Sequence, residues 1–338
     1  MNIDIQAEAI IPRRQTFSHI ARRFGVDKPA SRYEEATFDV QPTANFHYRP
    51  TYAPEFELYD PRRTKIAMAD WYVFRDPRQF YYATYNINRA AMQQSFDDAV
   101  NFVEKRDLIG SVAREWRDRV AGYLLPLRHV EWGANMNCQL IADWGYGTQI
   151  TSAAAFCGAD RLGLGQVISR IGLVLGDGSD EELVAAKQRW MEAAEWQPLR
   201  RLVEDMLVVR DWFEVYVAQL VVLDGLLYPL VTDAFDRAGA AHNGAPIAML
   251  TGFLTDWYAD NSRWVDAVVK AAAAESEGNR AVLNGWLDTW GARAADALAP
   301  IAGQVLGDMG PAAIAEARAQ LSDRLQKLGL SFAKELAA

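Results

Sequence analysis

Histidine and cysteine are scarce in this chain. Of its 338 residues only four are His (His19, His47, His129 and His242) and two are Cys. Two cysteines build neither a disulfide framework nor a four-thiolate zinc or iron–sulfur site. Four histidines leave few routes to an imidazole-rich metal centre. Other chemistries lack their signatures too. No Gly-x-x-x-x-Gly-Lys-Ser/Thr loop or Gly-x-Ser-x-Gly elbow occurs, and Gly163-Leu-Gly165 has neither a third glycine nor a preceding strand. Cys138 and Cys157 stand 19 apart, make no Cys-x-x-Cys, and read as small buried hydrophobes. A terpene-synthase-like all-α enzyme is the alternative at this length, but Asp97-Asp98-Ala-Val-Asn101 lacks the third acid expected of a Mg²⁺ site.

Positive charge is short as well. The net charge is −9, so nothing calls for nucleic acid as a partner. Residues 1–78 carry 12 Lys+Arg against 11 Asp+Glu, leaving the remainder with 23 against 33. Arg supplies 28 of the 35 basic residues. That suits planar bidentate contacts, although a GC-rich coding bias explains it equally well. The longest apolar stretch, 215–231, is interrupted by Gln219, Asp224, Gly225 and Pro229. A membrane span of about 20 mostly apolar residues is therefore not expected. No targeting signal is legible at the start, and Arg13-Arg14 precedes no long apolar run. With so few cysteines, the chain reads as cytoplasmic.

What is present is apolar mass. Half the residues are hydrophobic and 11% are aromatic, enough for a large core at this length. The first 75 residues form an extended arm: Pro12, Pro29, Pro42, Pro50, Pro54 and Pro61 interrupt every long helix. The arm is nevertheless full of rings, and it must lie along its own helical body or a partner chain. From 76 to 338 the pattern turns helical. Asp76-Pro77 reads as an N-cap with Pro at the first helical position. Periodicity predicts helices over 79–105, 106–143 (bent at Pro126), 148–176, 179–194, 198–238, 246–275, 279–300 and 311–336. Long segments, short connections and no alternating strand pattern predict an all-α, long-helix bundle.

Bundles of this size often hold carboxylate-bridged di-iron, which uses a Glu-x-x-His on each of two helices. Three residues before the four histidines stand Thr16, Ala44, Pro126 and Gly239. The motif is absent. Two segments look like such a site with ligands removed: Glu131 with Ala134 at the ligand spacing, and Asp224 with Leu227. The plainer reading is a buried acid satisfied by a neighbour such as Arg128 or Asn135, because a buried carboxylate needs a partner in either case.

Longer motifs then become recognisable. They include His19-Ile-Ala-Arg-Arg-Phe24, Asn45-Phe-His-Tyr-Arg-Pro50, Phe74-Arg-Asp-Pro-Arg-Gln-Phe-Tyr-Tyr-Ala-Thr-Tyr85 and Leu127-Arg-His-Val-Glu131. Asp160-Arg-Leu-Gly163, Tyr228-Pro-Leu-Val231 and Ala274-Glu-Ser-Glu-Gly-Asn-Arg280 continue the series. From about residue 10 to 330 the chain resembles the β subunit of bacterial multicomponent monooxygenases, and within that group the phenol hydroxylase β subunit.

The resemblance implies a ferritin-like fold and a place in a dimer of αβγ protomers. Only α would carry di-iron, and this chain would carry no cofactor. A reductase with FAD and an iron–sulfur cluster would deliver NAD(P)H electrons, and a small regulatory protein would couple them to oxygen. The subunit itself would be a non-catalytic scaffold, its arm wrapping over α. Contacts are expected from Phe46, His47, Tyr48 and Arg49 of the arm. Others are expected from Trp71, Arg75, Arg78, Phe80, Tyr81, Tyr85 and Arg89 around the first long helix. For each of these, ordinary packing within the chain is the competing expectation.

Overall fold

The computed structural model describes residues 17–26, 29–43 and 46–332. The start of the arm (1–16) and the end of the last expected helix (333–336) lie outside the described residues. Among those described there are helices and connections and no strand, the all-α architecture expected.

Two short helices stand in the arm, α1 (Ser18–Phe24) and α2 (Arg32–Thr37). Ser31 caps α2 in a capping box with Glu34. Ile20, Tyr33 and Phe38 form a small apolar cluster of their own, joined by Phe24, Tyr72 and Tyr81. Beyond it the arm runs along the helical body. Tyr52 stacks on Trp144 with ring centroids 6.1 Å apart and donates to Asp143 at 2.7 Å. Asn279 brackets Ala67, accepting from its N–H at 3.1 Å and donating to its carbonyl at 2.8 Å. Ile66, Trp71 and Phe74 belong to the main core.

The body comprises α3 (Tyr82–Lys105), α4 (Arg114–Leu124), α5 (Leu127–Trp144), α6 (Thr148–Leu175), α7 (Glu181–Glu192) and α8 (Gln197–Met206). Then follow α9 (Trp212–His242), α10 (Ala245–Glu275), α11 (Glu277–Leu306) and α12 (Gly310–Lys327). Helices α5 and α6 form a closely packed hairpin. Its connection needs a glycine at 147, where φ is +91° and a Cβ would stand 2.8 Å from the Trp71 carbonyl oxygen. Gln41 pins the same turn by accepting from the Gly147 N–H at 2.7 Å.

Helix α9 is the axle of the bundle, packed against α5, α10, α11 and α12. It is long and apolar enough to cross a membrane, yet 94% of the apolar 18-residue stretch within it is buried inside the protein. Gln219 and Asp224 therefore do not interrupt it; they face partners in the core. Two π-helical stretches, Val217–Leu223 and Leu230–Ala234, flank the segment Asp224–Pro229. Pro229 removes one donor from the ladder, and the second stretch begins immediately after it.

Several expected boundaries move, each for a local reason. Asp76 does not start a helix. Its carboxylate accepts from the Arg78 N–H at 2.8 Å and pairs with the Arg78 guanidinium at 3.0 Å, while Gln79 takes φ +51°. The helix begins six residues later. The expected 106–143 segment is broken at its start by Asp107, with φ +50° and a 3-10 turn over Ile109–Ser111. The 198–238 segment is cut before Asp211, whose side chain caps α9 by accepting from the Phe213 and Glu214 N–H groups. Helix α11 outruns its expectation, passing through Pro300 to Leu306.

Candidate functional site

The most unusual chemistry lies inside the bundle, where α5, α6, α9 and α10 meet. Arg161 on α6 is 1% exposed and its guanidinium lies between two buried carboxylates. Its Nη1 donates to Glu131 Oε2 at 3.0 Å, and its Nη2 pairs with Asp224 Oδ2. Tyr228 OH donates to Glu131 Oε1 at 2.9 Å. Gln219 Nε2 donates to Asp224 Oδ1 at 3.0 Å, and Asn137 Nδ2 donates to Gln219 Oε1 at 3.0 Å. The flat guanidinium also sits 4.5 Å from the Trp257 ring, a cation–π contact strengthened by the absence of water.

Burial raises the pKa values of Glu131 and Asp224, outweighing the attraction of Arg161. Burial acts to lower that of Arg161, but Asp224 and Glu131 hold its charge firmly in place. The cluster is thus one permanent cation shared by two buried carboxylates.

A second ion network lies beside it. Asp160, next to Arg161 on α6, accepts from Arg89 Nη2 at 2.7 Å, Tyr85 OH at 2.9 Å and Trp257 Nε1 at 2.9 Å. Arg89 continues to Asp260 at 2.9 Å, and Arg78 reaches the same Asp260 at 3.5 Å. Trp257 belongs to both layers, with its face on Arg161 and its N–H on Asp160.

The acids at the two candidate former metal positions, Glu131 and Asp224, are therefore brought together, while Ala134 and Leu227 are buried apolar residues without donor atoms. The expected neighbours are engaged elsewhere. Arg128 donates to the Leu183 carbonyl at 2.6 Å and Asn135 to the Gly158 carbonyl at 2.7 Å. Arg161 is the partner that sequence reasoning missed. Its signal was its register: with Cys157, Leu164 and Ile168 it continues a 4-3-4 spacing along the buried face of α6.

The expected contact residues divide into two groups. The Arg78 side chain is 2% exposed, Trp71 and Phe80 are buried, and Tyr85 and Arg89 serve the outer network. His47, Tyr48, Arg49 and Arg75 face outward, Tyr48 at 88% exposure, while Phe46 and Tyr81 are half-buried. Arg49 is paired with Glu57 at 2.7 Å, and Arg75 with Glu34.

His129 lies against Trp190 with ring centroids 5.7 Å apart and has no partner for its buried Nε2. Burial, helped by Arg128 and Lys187, pulls its pKa down to about 4. As pH falls below the unfolded value near 6.5, the unfolded chain takes a proton that the folded chain refuses. Stability is lost progressively until pH reaches the folded value. The loss is expected to be about 1–2 kcal/mol after allowance for partial solvent access, and absent in His129→Gln. Urea titrations of both proteins at pH 7.5 and 4.5 check this.

A helical bundle with an ionic core of carboxylates defines the class. Residues 50–276 match the profile of the methane/phenol/alkene hydroxylase family, and the chain belongs to that family. It is 46% identical to the phenol 2-monooxygenase oxygenase component DmpL of Pseudomonas sp. (strain CF600), over 99% of this chain and 100% of the relative. The crystal structure of xenon-pressurized phenol hydroxylase from Pseudomonas sp. OX1 superposes with a TM-score of 0.91 at 45% identity, covering 97% of this chain and 99% of that one. A more distant relative is the toluene-4-monooxygenase hydroxylase component subunit beta of Ectopseudomonas mendocina, 24% identical over 65% of this chain and 68% of its own. The fold is the ferritin-like helical one of these hydroxylases.

The family implies di-iron, and the core residues of this chain do not fit it. The oxygens of Glu131 and Asp224 are already taken by Arg161, Tyr228 and Gln219. Among the described residues no three His, Cys, Asp or Glu are grouped to hold a metal ion.

Proposed function

We propose that this chain is the non-catalytic β subunit of the oxygenase component of a phenol or aromatic monooxygenase, a scaffold for an α subunit that carries di-iron. The observation that carries the reading is Arg161. A guanidinium held between Glu131 and Asp224 supplies the positive charge that a metal would bring to that position, but it offers no open site and no redox chemistry. Glu131, Ala134, Asp224 and Leu227 are then the former metal positions. Similarity along the full length to an oxygenase component supports the assignment to such a complex, and the subunit name of the toluene relative supports β.

In this reading the assembly is a dimer of αβγ protomers in the cytoplasm. A reductase with FAD and an iron–sulfur cluster feeds it electrons from NAD(P)H, and a regulatory protein governs their use. Residues 1–75 form a clasp on α, and 76–338 the body that backs it. The outward residues His47, Tyr48, Arg49 and Arg75 are the first contacts, with Phe46 and Tyr81 at their margin. Trp71, Arg78, Phe80, Tyr85 and Arg89 support the same face from beneath. Held rigidly, such a face keeps the partner's metal-bearing helices in register, and a displacement of about 1 Å at a supporting contact can cost about 100-fold in rate.

Deletion of residues 1–60 tests the clasp. The truncated chain is expected to keep its helical circular dichroism, because α3–α12 lie beyond the cut, and to lose co-purification with α. An active complex assembled from the truncated chain would overturn the reading. Stoichiometric iron and hydroxylation by the chain alone would overturn it independently.

A further inference from the structure

The core holds one reactive group that the scaffold role does not use. Cys138 on α5 and Cys157 on α6 are both buried, at 0% and 2% exposure, and both are free thiols. Their sulfurs lie 3.4 Å apart across the hairpin. Small residues, Ala134, Ala154 and Gly158, bring the two helices close beside them. Cys157 lies one turn before Arg161 on the same helix.

From this geometry we infer that Cys138 and Cys157 form an oxidation site, converted by hydrogen peroxide into a disulfide that ties α5 to α6. The Cys157 sulfur attacks one peroxide oxygen. The O–O bond breaks, a water leaves, and Cys157 becomes a sulfenic acid. The Cys138 sulfur then attacks the Cys157 sulfur, the S–O bond breaks, and a second water carries off the remaining proton. Two thiols lose two electrons, and one peroxide is reduced to two waters.

The order of attack follows from the surroundings. Burial acts to raise the Cys157 pKa, but the hydrogen bond from Cys138 and the charge of Arg161 outweigh it and bring the thiol below its ordinary value. The Cys138 thiol is pushed up by donating that bond, and by burial. Cys157, one turn from the Arg161 guanidinium whose charge favours its thiolate, is placed as the nucleophile and Cys138 as the resolving thiol. An S–S bond is about 2.05 Å long, so closure from 3.4 Å asks for a side-chain adjustment and a small approach of two helices already in contact. The inference does not depend on the scaffold reading.

The test treats the full-length protein, in its purified complex, with a few equivalents of hydrogen peroxide. Thiols are then blocked with N-ethylmaleimide in denaturant, and intact and peptide masses are measured. The chain is expected to lose about two mass units and both maleimide additions. One dithiothreitol-reversible peptide pair should contain residues 138 and 157. In Cys138→Ser, dimedone present as the peroxide-treated protein is unfolded should trap a sulfenic acid at Cys157; in Cys157→Ser, Cys138 should stay a thiol. Wild-type protein that keeps both thiols, or whose cysteines oxidise singly to sulfinic acid or cross-link between chains, would overturn the proposal.

Discussion

Arg161→Met is expected to destabilise the chain by about 3–5 kcal/mol, because it leaves two carboxylates buried without their cation. Glu131 and Asp224 are 3% and 1% exposed and cannot reach water. The remaining donors, Tyr228 OH on Glu131 and Gln219 Nε2 on Asp224, are neutral. Burial already raises both carboxyl pKa values in the intact protein, and loss of the guanidinium raises them further. A carboxyl raised in the folded state gives stability that is fully present below its unfolded value and lost as pH climbs through the folded one. The variant's deficit should therefore be largest at neutral pH and shrink as pH falls toward the unfolded carboxyl range of about 4. Adding Glu131→Gln and Asp224→Asn removes the uncompensated charge, and the triple variant is expected to recover most of the loss. Urea or guanidinium unfolding of the wild type, the single variant and the triple variant measures this. A flat pH dependence of the single variant, or no recovery in the triple one, would show that the cluster is not held by charge balance.

The outer network makes the second large prediction. Asp160→Ala strips the acceptor from three donors at once: the Arg89 guanidinium, Tyr85 OH and Trp257 Nε1. Arg89 keeps Asp260 and Tyr85 OH keeps the Phe156 carbonyl at 3.3 Å, but the buried Trp257 N–H loses its acceptor. A loss of about 3–5 kcal/mol is expected, since breaking a buried pair costs far more than the pair itself contributes. Asp160→Asn retains an acceptor oxygen and should cost less than half as much. Because Trp257 lies 4.5 Å over Arg161 while serving Asp160, the Asp160 and Arg161 effects should not add. A double-mutant cycle should return a coupling of about 0.5–3 kcal/mol. Strict additivity would separate the two networks.

The bundle was legible in the sequence because its evidence is repetitive. Periodicity over 148–176 and 246–275 predicted α6 and α10 to within a residue or so at each end. What failed was punctuation that competes locally. Asp76-Pro77 has the form of a helix start, but Arg78 takes the Asp76 carboxylate. Asp211 falls inside the helix expected over 198–238, yet it caps the start of the central helix. The candidate site was half legible. Glu131 and Asp224 stood out as acids on apolar helices, but their partner was sought nearby in sequence at Arg128 and Asn135. Arg161 is 30 residues from Glu131 and 63 from Asp224. No local rule joins such positions; only the hairpin of α5 with α6, closed over α9, does so. The family resemblance rested on long motifs, several of them within these networks. Asp160-Arg161 opens one, Tyr228 another, and Arg78 to Tyr85 lie in a third.

The guanidinium in the core also bears on supply. A metal-dependent bundle folds on the terms of its ion: availability in the cell, oxidation state, and competition from chelators all enter its stability. Arg161 arrives with the polypeptide, keeps its charge at any physiological pH, and cannot be scavenged or exchanged. Every copy of this chain leaves the ribosome with its central charge already installed. The charge at the centre of this bundle is therefore supplied by the polypeptide itself.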